Sequence, residues 1–461
     1  MSPDRPLRVA VVGSGPAAFY AAGALLASDL AIEVDMFERL PTPWGLVRFG
    51  VAPDHPKIKE VSRAFERIAQ QPGFRFFGNV EIGRDLLHDD LLALCDAVVY
   101  AVGAQTDRRM GIPGEDLPGS WPATELVAWY NGHPDFQDLS FDLSCERVVV
   151  VGAGNVAVDV ARMLALTEDE LRGTDTTDEA IAAIAGSGIR EIVMLARRGP
   201  VQAAFTNPEL KELGELAGAD VVVEPADLEL DAASEAALEG QTNAERNMEV
   251  LREYATRAPS GKPGALKLRF LVSPVAIHGE GRVESVEVVR NELVADESGR
   301  VRAVPTEERE TIPCGLVLRS VGYHGTPLPG VPFDPASGTI PNREGRVLDE
   351  RGEPLPGVYC AGWIKRGPSG VIGTNKKDAT QTVGHLLADA REGALIPQAA
   401  PAGQVERLLA ERGVAYVTHE GWEAIDALER ARGAEQGRPR VKLCSWAELL
   451  GAAGRVPPDR G

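Results

Sequence analysis

The chain lacks the features of a disulfide protein, a metal protein, a membrane protein or a nucleic-acid binder. Its five cysteines (Cys95, Cys145, Cys314, Cys360 and Cys444) are scattered, odd in number and never spaced C-x-x-C. That argues against a disulfide framework, a zinc ribbon or a redox dithiol, and fits a reducing compartment. The seven histidines do not cluster at metal spacing, so no metal site is expected. No apolar run reaches the ~18 uninterrupted residues that suggest a membrane-spanning helix. Arg5 and Arg8 ahead of an apolar run imitate a signal peptide, but Gly13, Gly15 and Pro16 interrupt that run. The segment reads instead as strand, tight turn and helix, so a cytoplasmic protein is expected. Basic residues are in deficit, 48 against 68 acidic, for a net charge of −20. Non-specific nucleic-acid binding is therefore disfavoured, and an acidic protein partner would need a local basic patch.

At 461 residues with 44% apolar content, the chain is long enough for two or three globular domains. Short β-branched runs alternate with helical patterns, the signature of parallel sheets with crossover helices. Strands are expected over 7–12, 32–37, 97–102, 148–151, 192–195, 315–321 and 358–362, and helices over 17–28, 156–166 and 377–387. Residues 268–293 alternate like antiparallel strands with a turn at Gly279-Glu280-Gly281. Residues 167–188 read as an insertion, and 225–263 as an acidic, Ala-rich and largely helical stretch. The expected class is α/β, with two Rossmann-like dinucleotide-binding domains, one inserted in the other. The first domain would be 1–106 with 325–397, the second 107–324, and 398–461 a small appendix. Helices over 404–412 and 422–432 and a basic stretch over 437–442 are expected in the appendix, which would pack on the body or else tune partner access.

Two glycine turns about 140 residues apart carry the chemistry. In Gly13-Ser14-Gly15-Pro16-Ala17-Ala18, glycine allows positive φ and close approach to a pyrophosphate, at which the next helix aims free N–H groups. The strand that follows ends on Glu38, whose carboxylate suits a bare ribose diol. In Gly152-Ala153-Gly154-Asn155-Val156-Ala157 the mechanics recur, with Asn155 able to donate to a phosphate or to cap the helix. Here the next strand ends on Arg197-Arg198, which suits a ribose bearing an extra phosphate; the bland alternative is a solvated basic strand end. Glu209 either hydrogen-bonds the cofactor or simply begins a helix. The pattern implies an FAD enzyme served by NADP(H). Near the C-terminus, Trp363 stands where many such proteins have the Asp of a Gly-Asp turn, and Gly367 to Gly373 form a glycine-rich turn that opens a helix. Trp363 would stack on the flavin or serve as a core residue.

Pro41-Thr42-Pro43-Trp44-Gly45-Leu46-Val47-Arg48 and Val51 to Lys57 resemble adrenodoxin reductase. So do Gly152 to Asp159, Arg197-Arg198-Gly199-Pro200 and Gly362 to Ile372. The resemblance runs from Leu7 to about Leu387 and is closest to the actinobacterial-type NADPH–ferredoxin reductases of that family, which share the appendix. It implies FAD contacts at Ala17, Glu38, Leu46, Ile82, Trp363, Gly370, Val371 and Ile372. It implies NADP contacts at Arg108, Ala153, Gly154, Asn155, Val156, Arg197, Arg198, Glu209 and Gly370. His55 and Glu212 match positions that relay protons near the flavin; read from the residues alone, His55 is equally a structural turn histidine. The acidic stretch 224–253 departs from the mammalian pattern and leaves the partner surface open.

The reaction implied is hydride transfer from NADPH to FAD, then single-electron delivery to an iron–sulfur protein, a ferredoxin. Candidates for the basic docking patch are Arg190, Arg197, Arg198, Lys211, Lys365, Arg366, Lys376 and Lys377. A monomer or weak dimer is expected. The alternatives are a quinone-reducing diaphorase or oxidase, and a redox-silent nucleotide-sensing protein.

Overall fold

The computed structural model describes residues 5–295, 301–370, 372–398, 401 and 403–455. Near-continuous apolar strands stack into two mainly parallel sheets, each covered on both faces. The first sheet has seven strands in the spatial order Asn342–Arg343, Arg346–Leu348, Pro354–Cys360, Ala97–Tyr100, Leu7–Val12, Ile32–Glu38 and Phe74–Gly78. The second has six, in the order Ser120–Pro122, Leu316–Arg319, Arg147–Val151, Glu191–Ala196, Gly264–Phe270 and Ala219–Val223. The two central pairings have the same grammar: Leu7 faces Ile32 and Val12 faces Phe37, while Arg147 faces Glu191 and Val151 faces Leu195. The chain crosses to the second sheet and back through a short antiparallel ribbon, Thr106–Asp107 against Tyr323–His324.

The strand expected over 97–102 stops at Tyr100, because Ala101 passes beneath the first glycine turn. A Cβ on Gly13, which has φ +99°, would lie 2.6 Å from the Ala101 carbonyl oxygen. Residues 168–172 and 178–185 form two short helices within the expected insertion. Their length explains why Arg197 follows the second turn by about 45 residues.

The stretch 268–293 is not wholly antiparallel. Leu268 lies in Gly264–Phe270, which runs parallel to Glu191–Ala196, and the chain reverses at Leu271 with φ +59°. Only then do Val272–His278 and Ser285–Ala295 pair antiparallel. Alternation marks a half-covered strand without giving its direction. The strand Val301–Pro313 went unread because it is an exposed, charged edge that lacks an apolar stripe. In the appendix, Val417 bonds both ways with Gly78 at 2.8 Å and so covers the open edge of the first sheet.

Candidate active site

Both glycine turns present an open, uncapped helix start. Gly15 precedes the helix Pro16–Leu26 with no side-chain cap and no acid in the first turn, and a Cβ there would meet nothing within 4 Å. Gly154 precedes Asn155–Ala165 in the same way, while a Cβ on Gly152 would lie 2.3 Å from the Ser320 carbonyl oxygen. Free N–H groups beside open space have the chemistry to receive an anion such as a phosphate.

Glu38 stands beside the first turn. Its Oε2 accepts from the Ser14 N–H at 3.1 Å and from the Ser14 hydroxyl at 2.7 Å, leaving a partly exposed carboxylate at the strand end. Ala17 and Ile82 are buried and Leu46 is half-buried near the turn's own loop. The second turn ends at the two arginines. Arg197 is exposed and Arg198 is half-buried, donating to the Gln202 carbonyl at 3.3 Å. Burial, and then the like charge of Arg197, lower the pKa of Arg198. Among the described residues neither guanidinium has a carboxylate partner, so the pair is a cationic site without an anion. Asn155 uses its carbonyl oxygen to accept from the Thr206 N–H at 2.8 Å, which ties the starts of the two helices together.

Trp363 follows Gly362, whose φ of +78° brings it against the first phosphate helix; a Cβ there would lie 2.6 Å from the Ala17 Cβ. The carboxylate for this turn comes from Asp378 on the next helix, which accepts from the Gly362 N–H at 2.5 Å and from Lys365 at 3.0 Å. Trp363 packs on Tyr323 of the crossing ribbon at 5.3 Å, and its buried indole N–H has no partner. The buried Thr42 hydroxyl is likewise without one. Open cradles, an arginine pair and orphaned buried donors all fit two dinucleotides. Gly370 is exposed at the mouth of the helix Ile372–Glu392, Arg108 is exposed on the ribbon, and Val371 lies outside the described residues.

His55 is inserted between two helices that pack on the second sheet. Its Nε2 lies 2.7 Å from Glu212 Oε2 and 3.5 Å from Glu209 Oε2, and its Nδ1 lies 3.9 Å from Asp159. Glu209 and Glu212 share one face of Asn207–Leu213, as Asp159 and Arg162 share one face of Asn155–Ala165. Arg162, only 2% exposed, donates to Asp54 at 2.6 and 2.9 Å, to Asp159 at 2.8 Å and to Glu209 at 3.3 Å. Four carboxylates thus surround one arginine and one histidine. Burial and the Asp159 charge push Glu209 up to about 7, against the pull of His55 and Arg162. Burial likewise raises Asp159. It also opposes ionisation of Asp54, but the bonds and charge of Arg162 outweigh it and hold this group low.

Sequence reading missed Arg162, Asp54 and Asp159. The available signal was an i,i+3 charged pair, Asp159 and Arg162, on an otherwise apolar helix. Of the cations expected in a docking patch, Lys365 turns inward onto Asp378. Arg190 sits at the start of Glu191–Ala196, the opposite end from Arg197 and Arg198.

The model of the pyridine nucleotide-disulphide oxidoreductase family matches residues 7–199. The NADPH-ferredoxin reductase FprA of Mycobacterium tuberculosis is 53% identical over 456 residues, 97% of this chain and 99% of that one. The chain belongs to the NADPH–ferredoxin reductase family. The family extends to the mitochondrial NADPH:adrenodoxin oxidoreductase of Arabidopsis thaliana, 40% identical over 98% of this chain and 96% of that one. A solved structure of the mycobacterial FprA in complex with NADPH superposes with a TM-score of 0.92, covering 97% of this chain and 100% of that one. Unlike the disulphide reductases for which the broader family model is named, this chain has only free thiols among its described residues, three of them buried. No helix among those residues is long and apolar enough to cross a membrane.

Proposed function

We propose that the chain is an NADPH:ferredoxin oxidoreductase that holds FAD on the first glycine turn and NADP(H) on the second. The observation that carries this reading is the pair of uncapped helix starts whose following strands end in opposite charges, Glu38 in one and Arg197-Arg198 in the other. When bound, FAD accepts a hydride from NADPH and passes electrons on singly. The chain's own residues bind, orient and hold protons.

Gly13, Gly15 and Ala17 admit the FAD pyrophosphate, and Glu38 takes the ribose hydroxyls. Leu46, Ile82, Trp363, Gly370 and Ile372 enclose the rest of the flavin. Ala153, Gly154, Asn155 and Val156 hold the NADP pyrophosphate, Arg197 and Arg198 its extra phosphate, and Arg108 and Glu209 flank it. His55 and Glu212, 2.7 Å apart, hold a proton near the flavin, and Arg162 fixes the acids around them. The division into 1–106 with 325–397 and 107–324 follows the two sheets and the ribbon between them.

With no C-x-x-C dithiol in the chain, electrons leave to an external carrier, an iron–sulfur protein. Its acidic surface docks on cations that stay exposed, among them Lys376 and Lys377 at the start of Ile372–Glu392. The protein works in the cytoplasm, as a monomer or weak dimer. The deciding experiment is anaerobic: the yellow holoprotein should bleach near 450 nm with NADPH and be reoxidised by a ferredoxin faster than by a quinone. Bleaching followed by preferential transfer to quinone would favour a diaphorase, and no bleaching would leave a redox-silent binder.

A further inference from the structure

The segment after residue 397 plays no part in the reading above, yet it carries some of the most deeply buried charges in the molecule. Glu429, on the helix His419–Glu435, has a side chain 0% exposed. A charge so placed needs both counter-charge and hydrogen bonds. Its carboxylate takes a two-pronged bond from Arg48 at 2.9 and 2.6 Å, another from Arg440 at 3.0 Å and one from the Leu443 N–H at 2.8 Å. The Arg48 guanidinium also lies over two rings, 5.0 Å from the centre of Phe49 and 5.4 Å from that of Trp422. The Arg48 backbone carbonyl accepts from Lys442 at 3.2 Å. The C-terminal segment therefore grips one residue of the body by side chain and main chain together.

That residue belongs to the loop lying on the first glycine turn. The Trp44 N–H donates to the Ser14 carbonyl at 3.0 Å, and a Cβ on Gly45 would come within 3.0 Å of the Gly15 Cα. Trp44 has φ +85°, a left-handed conformation that a bulky residue keeps only when its surroundings impose it. Trp422 of the C-terminal segment meets Trp44 edge-on at 4.7 Å. The same segment reaches the second sheet's helices, with Lys442 3.2 Å from Asp175 and Arg438 bonded to Asp178 and the Thr174 carbonyl.

We infer that Glu429 is a positioning residue for the flavin cradle: acting through Arg48, and with Trp422, it holds residues 44–49 against the first glycine turn. The C-terminal segment is on this view part of the flavin-binding apparatus, and the inference rests on the first turn being the FAD site. The test is the rate of FAD release from purified holoprotein on dilution, read by free-flavin fluorescence. Four proteins are compared: wild type, Glu429→Gln, Glu429→Asp and Ile425→Val, the last trimming a buried apolar side chain on the same helix. Glu429→Gln should release FAD at least about tenfold faster while KM for NADPH stays within about twofold, and Glu429→Asp should recover most of the loss. Ile425→Val should lower Tm and leave FAD release within about twofold of wild type. Wild-type release from Glu429→Gln would overturn the inference, and so would equal loss in Ile425→Val, which would tie release to stability alone. Should Glu429→Gln prove insoluble, Arg48→Lys, which keeps the charge without the fork, is judged by the same two outcomes. A wild-type protein that carries no FAD would defeat the functional reading itself, before any variant is compared.

Discussion

Replacing Arg197 by alanine separates the two nicotinamide coenzymes, which differ by one phosphate. Arg197 is exposed at the end of Glu191–Ala196 and, among the described residues, pairs with no carboxylate. Its removal therefore breaks nothing in the free protein and relieves a like-charge contact with Arg198. With NADPH bound, the variant loses a charge-assisted hydrogen bond to phosphate, worth about 1.5–3 kcal/mol. At 1.36 kcal/mol per factor of ten, kcat/KM for NADPH should fall roughly 10- to 150-fold. The value for NADH should stay within about threefold, because that coenzyme has nothing for Arg197 to grip. Steady-state reduction of ferricyanide with each coenzyme measures both quantities on one preparation. Equal losses for NADPH and NADH would refute the assignment of this strand end to the extra phosphate. Arg198→Ala should act in the same direction with some loss for NADH as well, since Arg198 also supports the Gln202 carbonyl.

Three further outcomes follow from the buried charges and the exposed ones. Glu209 is an acid whose pKa in the fold is raised to about 7 from 4.5, so the folded chain holds a proton that the unfolded chain releases. Stability attributable to this group is thus lost as pH rises from about 4.5 to 7. Glu209→Gln should stabilise the protein at pH 8 and not at pH 4, as read by urea unfolding, with Asp159 retaining a decline of the same sign. Arg162→Met leaves Asp54, Asp159 and Glu209 without their shared cation and should destabilise by about 3–5 kcal/mol in denaturant melts. A neutral effect would mean the acids are protonated already. Raising salt to about 300 mM should slow ferredoxin-dependent turnover several-fold more than ferricyanide turnover, because exposed cations are then screened beyond about 6 Å; equal slowing would remove the docking patch.

Most of the fold was legible because its signals are local. Apolar runs, glycine turns and small-residue helices act within a few residues of one another, so Leu7–Val12, Ile32–Glu38, Arg147–Val151 and Glu191–Ala196 were each foreseen to within a residue or two at either end. The charges at the two strand ends were legible for the same reason, each standing directly after its strand. The strand Val301–Pro313 was not, since an exposed edge has no apolar face to announce it.

The sequence by itself determined the two parallel sheets, the two glycine turns and the sign of the charge beside each one. Tertiary structure alone decided which buried charges meet. His55 and Glu212 are 157 positions apart, Arg48 and Glu429 are 381 apart, and Lys365 turned out to face Asp378 rather than solvent. A charge leaves water only where the fold supplies its partner, and that partner can come from any distance along the chain.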